Sequence, residues 1–182
     1  MKLIPILFAA LIVASTAAAA QTKSAPAVAT DSPGQLCTSR NLPGVGLRGE
    51  YFAEPGAKGK VLLSRMDLQV DFDASLLWPA ELKTRPKSVR WTGWIRVPLG
   101  GLYSFHLPEG QAGEIQVAND VALTAAGQSK KIELVSGRFT PVTITVPRLA
   151  ADKPVKLEWT APHGLRFTVP RGLLYPPTDQ VK

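Results

Sequence analysis

"SVRWTGWIRVPLGGLYSFHL" occupies residues 88–107. Its first half alternates. Val89, Trp91, Gly93, Ile95 and Val97 fall on one side of an extended chain, and Arg90, Thr92, Trp94 and Arg96 on the other. Its second half sets Tyr103, Phe105 and Leu107 against Leu102, Ser104 and His106. A period of two signals a strand, and "PLGG" between two such runs signals a turn. The stretch therefore predicts a β-hairpin with one apolar face, its aromatics buried and Trp94 left on the polar side.

The same texture extends in both directions. "GLRGEYFA" reads as a first strand around Leu47 and Tyr51. Leu68, Val70 and Phe72 alternate and predict a half-buried strand, while "ASLLWPAELKTRP" reads as a loop carrying Trp78. Downstream, "GEIQVANDVALTA" predicts a hairpin turning at Asn119-Asp120, and "KKIELVSGRFTPVTITVP" another at Ser136-Gly137. Val155, Leu157 and Trp159 share a strand face, and "RFTVPRGLLYPP" closes the chain. With 15 Gly and 16 Pro in 182 residues, long helices are disfavoured and turns are frequent. About ten short strands at this spacing predict an all-β fold, an antiparallel two-sheet β-sandwich or barrel.

Residues 1–20 have the layout of a secretory signal peptide. Lys2 is basic, Leu3 to Val13 is apolar, and Ala18-Ala19-Ala20 offers a small-residue cleavage site. Residues 21–43 are small, polar and proline-punctuated, and read as a flexible, disordered arm. Residues 44–178 form the expected domain. Cys37 is the one cysteine, so an internal disulfide is excluded and a free thiol in the arm is expected. Export without a disulfide suits a bacterial envelope protein, periplasmic or extracellular, with no transmembrane segment once the signal is removed. The formal charge is +7, but the basic residues are scattered with no run of five. Nucleic-acid readout needs a clustered patch, so no nucleic-acid partner is expected.

Four pieces of this chain together resemble the PA-fourteen family, the protective-antigen-type β-barrel module. They are "GLRGEYF" (46–52), "VDFD" (70–73), the 88–107 stretch, and "VKLEWTAPHG" with "VPRGLLYP" (155–164, 169–176). The likeness covers about residues 44–177. It implies a two-sheet barrel whose usual role is carbohydrate binding. In the adhesin branch, two adjacent Asp residues after the signature hairpin hold a calcium ion that bridges to sugar hydroxyls. The matching loop here is "PEGQAGE" (108–114), with Gly110 and Gln111 near the place of the acid pair. Calcium takes six to eight oxygen ligands and draws on paired carboxylates for its charge. No calcium, other metal or cofactor is therefore expected.

No nucleophile-elbow, zincin or phosphate-loop pattern occurs, and His106 and His163 lack metal-ligand spacing. The expectation is a non-catalytic exported binding module. Carbohydrate is the expected ligand, and Trp78, Trp94, Glu109, Gln111, Asn119 and Asp120 are the candidate contacts. The alternative is a structural or protein-interaction module that docks an envelope protein and binds no sugar. Arg90 is expected to pair with an Asp of "VDFD", and the acids Asp67, Asp71 and Asp73 are expected to serve structure or solvation.

Overall fold

The computed structural model describes residues 44–73, 82, 84–150 and 153–177. The expected signal peptide, the arm with Cys37, and Trp78 lie outside the described residues.

The described chain is antiparallel β throughout, with one 3-10 turn at Arg171–Leu173 and no α-helix. Its strands in order are β1 (Leu47–Glu54), β2 (Lys58–Asp67), β3 (Asp71–Phe72), β4 (Ser88–Arg96), β5 (Gly101–His106), β6 (Glu114–Val117) and β7 (Asp120–Leu123). There follow β8 (Ile132–Leu134), β9 (Phe139–Val146), β10 (Val155–Lys156), β11 (Glu158–Thr160), β12 (Arg166–Thr168) and β13 (Leu174–Tyr175). A larger sheet runs β2-β1-β4-β9-β6-β7, with β13 also pairing β4. A smaller sheet runs β12-β11-β5-β8, and β3 pairs with β10 as a short ribbon. The sheets form a sandwich rather than a barrel: among the described residues β2 and β7 remain open edges of the larger sheet.

The core lies between the two sheets. Along β4 every second residue is buried, which is the alternation the sequence predicted. Trp91 stacks on Phe72 at 6.1 Å and meets Tyr51 edge-on at 6.2 Å. Trp159 fills the opposite layer among Tyr103, Phe105 and Phe167. Burying rings of this size supplies about 2–3 kcal/mol each, so these two clusters anchor the sandwich.

Two expected hairpins are absent. β4 and β5 belong to different sheets, so "PLGG" carries the chain across the sandwich. The Ser136-Gly137 turn likewise joins β8 of the smaller sheet to β9 of the larger. Both strands of each pair have an inner apolar face, and a two-layer core is satisfied by crossing as well as by pairing. The two crossings brace each other: Gly137 N–H donates to Val97 O at 2.8 Å, and Ser136 Oγ donates to Pro98 O at 2.7 Å. The Asn119-Asp120 turn does join a hairpin, β6 with β7. The strand expected around Leu68 is also corrected. β2 ends at Asp67, and Leu68 is exposed at a bend before the two-residue β3.

The acidic cluster separates. Asp67 is buried, Asp71 pairs with Lys156 at 3.1 Å, and Asp73 is exposed. Arg90 does not pair with any of them. Its guanidinium lies over the Phe52 ring at 5.6 Å, because "VDFD" pairs with β10 and β4 neighbours β1 and β9 instead.

Candidate functional site

The "PEGQAGE" loop closes on a turn in which Gln111 N–H donates to Pro108 O at 3.0 Å. Gly110 has φ +73°, a backbone conformation in which glycine carries no steric penalty. Its carbonyl accepts from Lys153 Nζ at 3.1 Å. A Cβ at Gly110 would fall 2.4 Å from that ammonium. The loop is thus held by a cation that belongs to the chain.

Gln111 turns inward and is only 8% exposed. Its amide nitrogen donates to Ala112 O at 3.1 Å and to Arg148 O at 3.2 Å, which fixes the side chain. Its Oε1 is buried without a hydrogen-bond partner. A buried orphan acceptor costs roughly 1–3 kcal/mol, so Gln111 carries unspent hydrogen-bonding capacity.

Beside this loop opens a cleft of about 380 Å³. Glu109 and Gln111 line one side, and the segment from Ala125 to Ser129 lines the other. His106 and Arg166 complete it from the smaller sheet. They reach it through strand pairing. β11 lies between β5 and β12, so Glu158 is opposite His106 on one side and adjacent to β12 on the other. Arg166 Nε and Nη2 both donate to Glu158 Oε2, at 2.9 and 2.7 Å. His106 Nε2 lies 2.9 Å from Thr160 Oγ1. The cleft therefore offers a carboxylate, an amide, an imidazole and a guanidinium within one small volume.

Burial, and after it the Arg166 charge, holds the His106 pKa below the ordinary 6.5, against the pull of Glu158. The native state thus binds fewer protons at this site than the unfolded chain. Its contribution to stability is fully present above about pH 6.5 and is lost as pH falls from there through the folded value. His106→Gln is expected to flatten the acid limb of the melting temperature plotted against pH. An unchanged acid limb would show that His106 is not the group responsible.

The structure brings together two of the six sequence candidates, Glu109 and Gln111. Asn119 and Asp120 are exposed at the β6–β7 turn, outside the cleft lining. There Asp120 accepts from Lys130 Nζ at 2.7 Å. Trp94 is half-buried on the outer face of β4, in register with Pro141 and Tyr175, and does not line the cleft. His106, Arg166 and Ser129 are cleft residues that the sequence did not single out. The alternation of β5 put His106 on its polar side, but nothing local links it to Arg166.

No family model matches the sequence, and no curated protein matches it. Solved structures do. The chain is similar to an anti-sigma factor domain-containing protein from Clostridium clariflavum, at 26% identity and a TM-score of 0.59, over 76% of this chain and 50% of that one. It thus spans about half the length of that protein. It is similar to the PA14 sugar-binding domain of an RTX adhesin, at 13% identity and a TM-score of 0.54, over 74% of this chain and 99% of that one. It is also similar to the Epithelial Adhesin 9 A domain from Candida glabrata, solved in complex with Galb1-4GlcNAc, at 12% identity and a TM-score of 0.55. That match covers 80% of this chain and 95% of the adhesin domain. The antiparallel sandwich described above and these nearly complete matches to whole domains together show that the chain carries a PA14-like fold.

Proposed function

We propose that the chain is an exported, non-catalytic module that binds carbohydrate, without calcium, in the cleft beside "PEGQAGE". The observation that carries this reading is the cleft itself, with Glu109, His106 and Arg166 in its lining. Sugars present many hydroxyls that both donate and accept, so a small cleft of mixed donors and acceptors suits them. Among the described residues no Trp, Tyr or Phe lines the cleft, so affinity for a single sugar is expected to be weak. Likeness to the sugar-binding domain of an RTX adhesin, and to an adhesin domain solved in complex with Galb1-4GlcNAc, supports the ligand class. The basic, apolar and small-residue pattern of residues 1–20 supports export.

Lys153 supports calcium independence. Its ammonium occupies the Gly110 carbonyl, and a cation arriving there would meet a positive charge already in place. Glu109 is the one carboxylate among the described cleft residues.

A glycan array read with calcium and with a chelator tests the reading. Binding to neutral glycans is expected to be equal in both. Glu109→Gln is expected to weaken it about fivefold, the order of one lost charge-assisted hydrogen bond. Absence of binding to every glycan would overturn the sugar reading. A calcium-dependent rise in melting temperature would overturn calcium independence, because a ligand of the native state stabilises it.

A second reading, a protein-docking module of the cell envelope, is favoured by one surface. Leu165 is 66% and Phe167 38% exposed on the β11–β12 hairpin, at the open edge of the smaller sheet. The likeness to an anti-sigma factor domain-containing protein is consistent with it. On this reading Leu165→Asp abolishes partner binding; on the sugar reading it leaves glycan binding unchanged.

A further inference from the structure

The outer face of the larger sheet carries a second hollow, of about 530 Å³. Strand register builds its floor. One rung across β4, β9 and β6 is Arg90–Thr145–Glu114, and the next is Thr92–Thr143–Gln116. Their sequence neighbours Val89 and Trp91 on β4, Val142, Ile144 and Val146 on β9, and Ile115 and Val117 on β6 are buried, so strand alternation turns these six outward. Adjacent strands lie about 4.8 Å apart, and residues two apart on a strand are separated by about 6.8 Å. The result is a grid of hydroxyl, amide and charged groups on a concave floor.

The grid has unused capacity. Glu50 is next to Arg90 in register, yet no ion pair forms between them, and the Arg90 guanidinium rests on Phe52. Glu114, by contrast, is engaged: Gln116 Nε2 donates to its Oε1 at 2.5 Å. The floor therefore has a cationic end at Arg90 and an occupied carboxylate two strands away. Ala125 lines both this groove and the cleft. Its side chain is a single methyl, so the two hollows adjoin at a small residue.

We propose that this groove is a second subsite for an oligosaccharide bearing carboxylates, a uronate chain that pairs with Arg90 and continues past Ala125 into the cleft. The inference rests on the sugar-binding reading given above and adds to it the ligand's length and charge. The chemistry selects this occupant. A nucleic acid would need clustered basic residues and aromatic stacking, and among the described residues the groove is lined by one arginine and no aromatic ring. A peptide strand adds to a sheet edge, and β4, β9 and β6 are paired on both sides. Hydroxyl groups spaced over a floor match the hydroxyls of successive sugar rings. The overall charge of +7 draws an anionic chain toward the surface.

The test titrates isotope-labelled protein with hexagalacturonate and, separately, with cellohexaose, following amide shifts by NMR. Hexagalacturonate is expected to shift both the groove amides (Thr92, Thr143, Thr145) and the cleft amides (Gln111, Gly113), and to bind about tenfold more tightly than cellohexaose. Arg90→Gln is expected to remove that tenfold preference, bringing hexagalacturonate to the affinity of cellohexaose. Thr143→Val, which keeps the strand's shape, is expected to weaken hexagalacturonate binding and serves if Arg90→Gln fails to fold. Shifts confined to the cleft, or an Arg90→Gln protein with full hexagalacturonate preference, would overturn the groove and leave the sugar reading standing. Shifts confined to the groove would overturn the cleft and the continuous path. No shift with either sugar would overturn both.

Discussion

Asp67→Ala is expected to destabilise the domain by about 3–5 kcal/mol, the cost of stripping one partner from a buried charged network. Asp67 is the last residue of β2 and is buried. Its Oδ2 accepts from Tyr51 Oη at 2.6 Å and from Trp91 Nε1 at 2.7 Å. Its Oδ1 accepts from Arg65 Nε at 2.6 Å. Arg65 also donates from Nη2 to Tyr51 Oη at 3.1 Å, and its guanidinium lies 5.0 Å over the Tyr51 ring. Burial, followed by the Asp67 charge, drives the Tyr51 pKa far above its ordinary value, so the phenol remains a donor. Removing the carboxylate leaves the buried Trp91 indole N–H and Tyr51 phenol short of an acceptor and takes one from the half-buried Arg65. Asp67→Asn keeps the shape and one acceptor, and is expected to lose less than the alanine variant. Urea melts followed by tryptophan fluorescence measure both, with Trp91 reporting from inside the network. A loss below 1 kcal/mol for Asp67→Ala would mean that the carboxylate contributes no more than a surface ion pair.

This clamp marks the limit of what the sequence discloses. Asp67, Asp71 and Asp73 look equivalent along the chain, and only the pairing of β1 with both β2 and β4 puts Asp67 beside Trp91. Local alternation was legible wherever a strand is buried on one face, as along β4. It misled near Leu68 because β2 is an edge strand, largely exposed, with little apolar face to advertise. The turns were legible as turns, but a glycine-bearing turn serves a hairpin and a crossing equally. Which partner a strand takes is decided by packing between residues far apart in sequence. The cleft divides along the same line. Glu109 and Gln111 lie in one loop and were found by resemblance, whereas Arg166 is 60 residues from His106 and reaches the cleft through β11.

Gly93→Ala is the second large effect, expected to cost about 3 kcal/mol, the upper end for overpacking a close-fitted interior. Alternation alone makes Gly93 a gap in the apolar face of β4, a place where alanine or valine would improve the core. In the structure that gap is filled. A Cβ at Gly93 would lie 2.2 Å from the Tyr175 carbonyl oxygen and 2.7 Å from Leu47 Cδ2. The backbone of β13 occupies the space, where Leu174 and Tyr175 pair with Ile95 and Trp94. The start of the domain closes over the same strand: Gly44 N–H donates to Gly172 O at 2.8 Å, and Gly46 N–H to Leu174 O at 3.0 Å. A flexible side chain could swing aside, but a paired backbone held from both ends cannot. The added methyl should therefore push β13 off β4 and release the join between the two ends of the domain. Hydrogen exchange distinguishes this from a general loss of stability. β13 amides are expected to lose protection before those of β9, and a protease should cut near residues 171–175 before it cuts elsewhere. A Gly93→Ala protein with wild-type stability and a protected β13 would show that the C-terminal strand does not pack against β4 closely enough to require glycine.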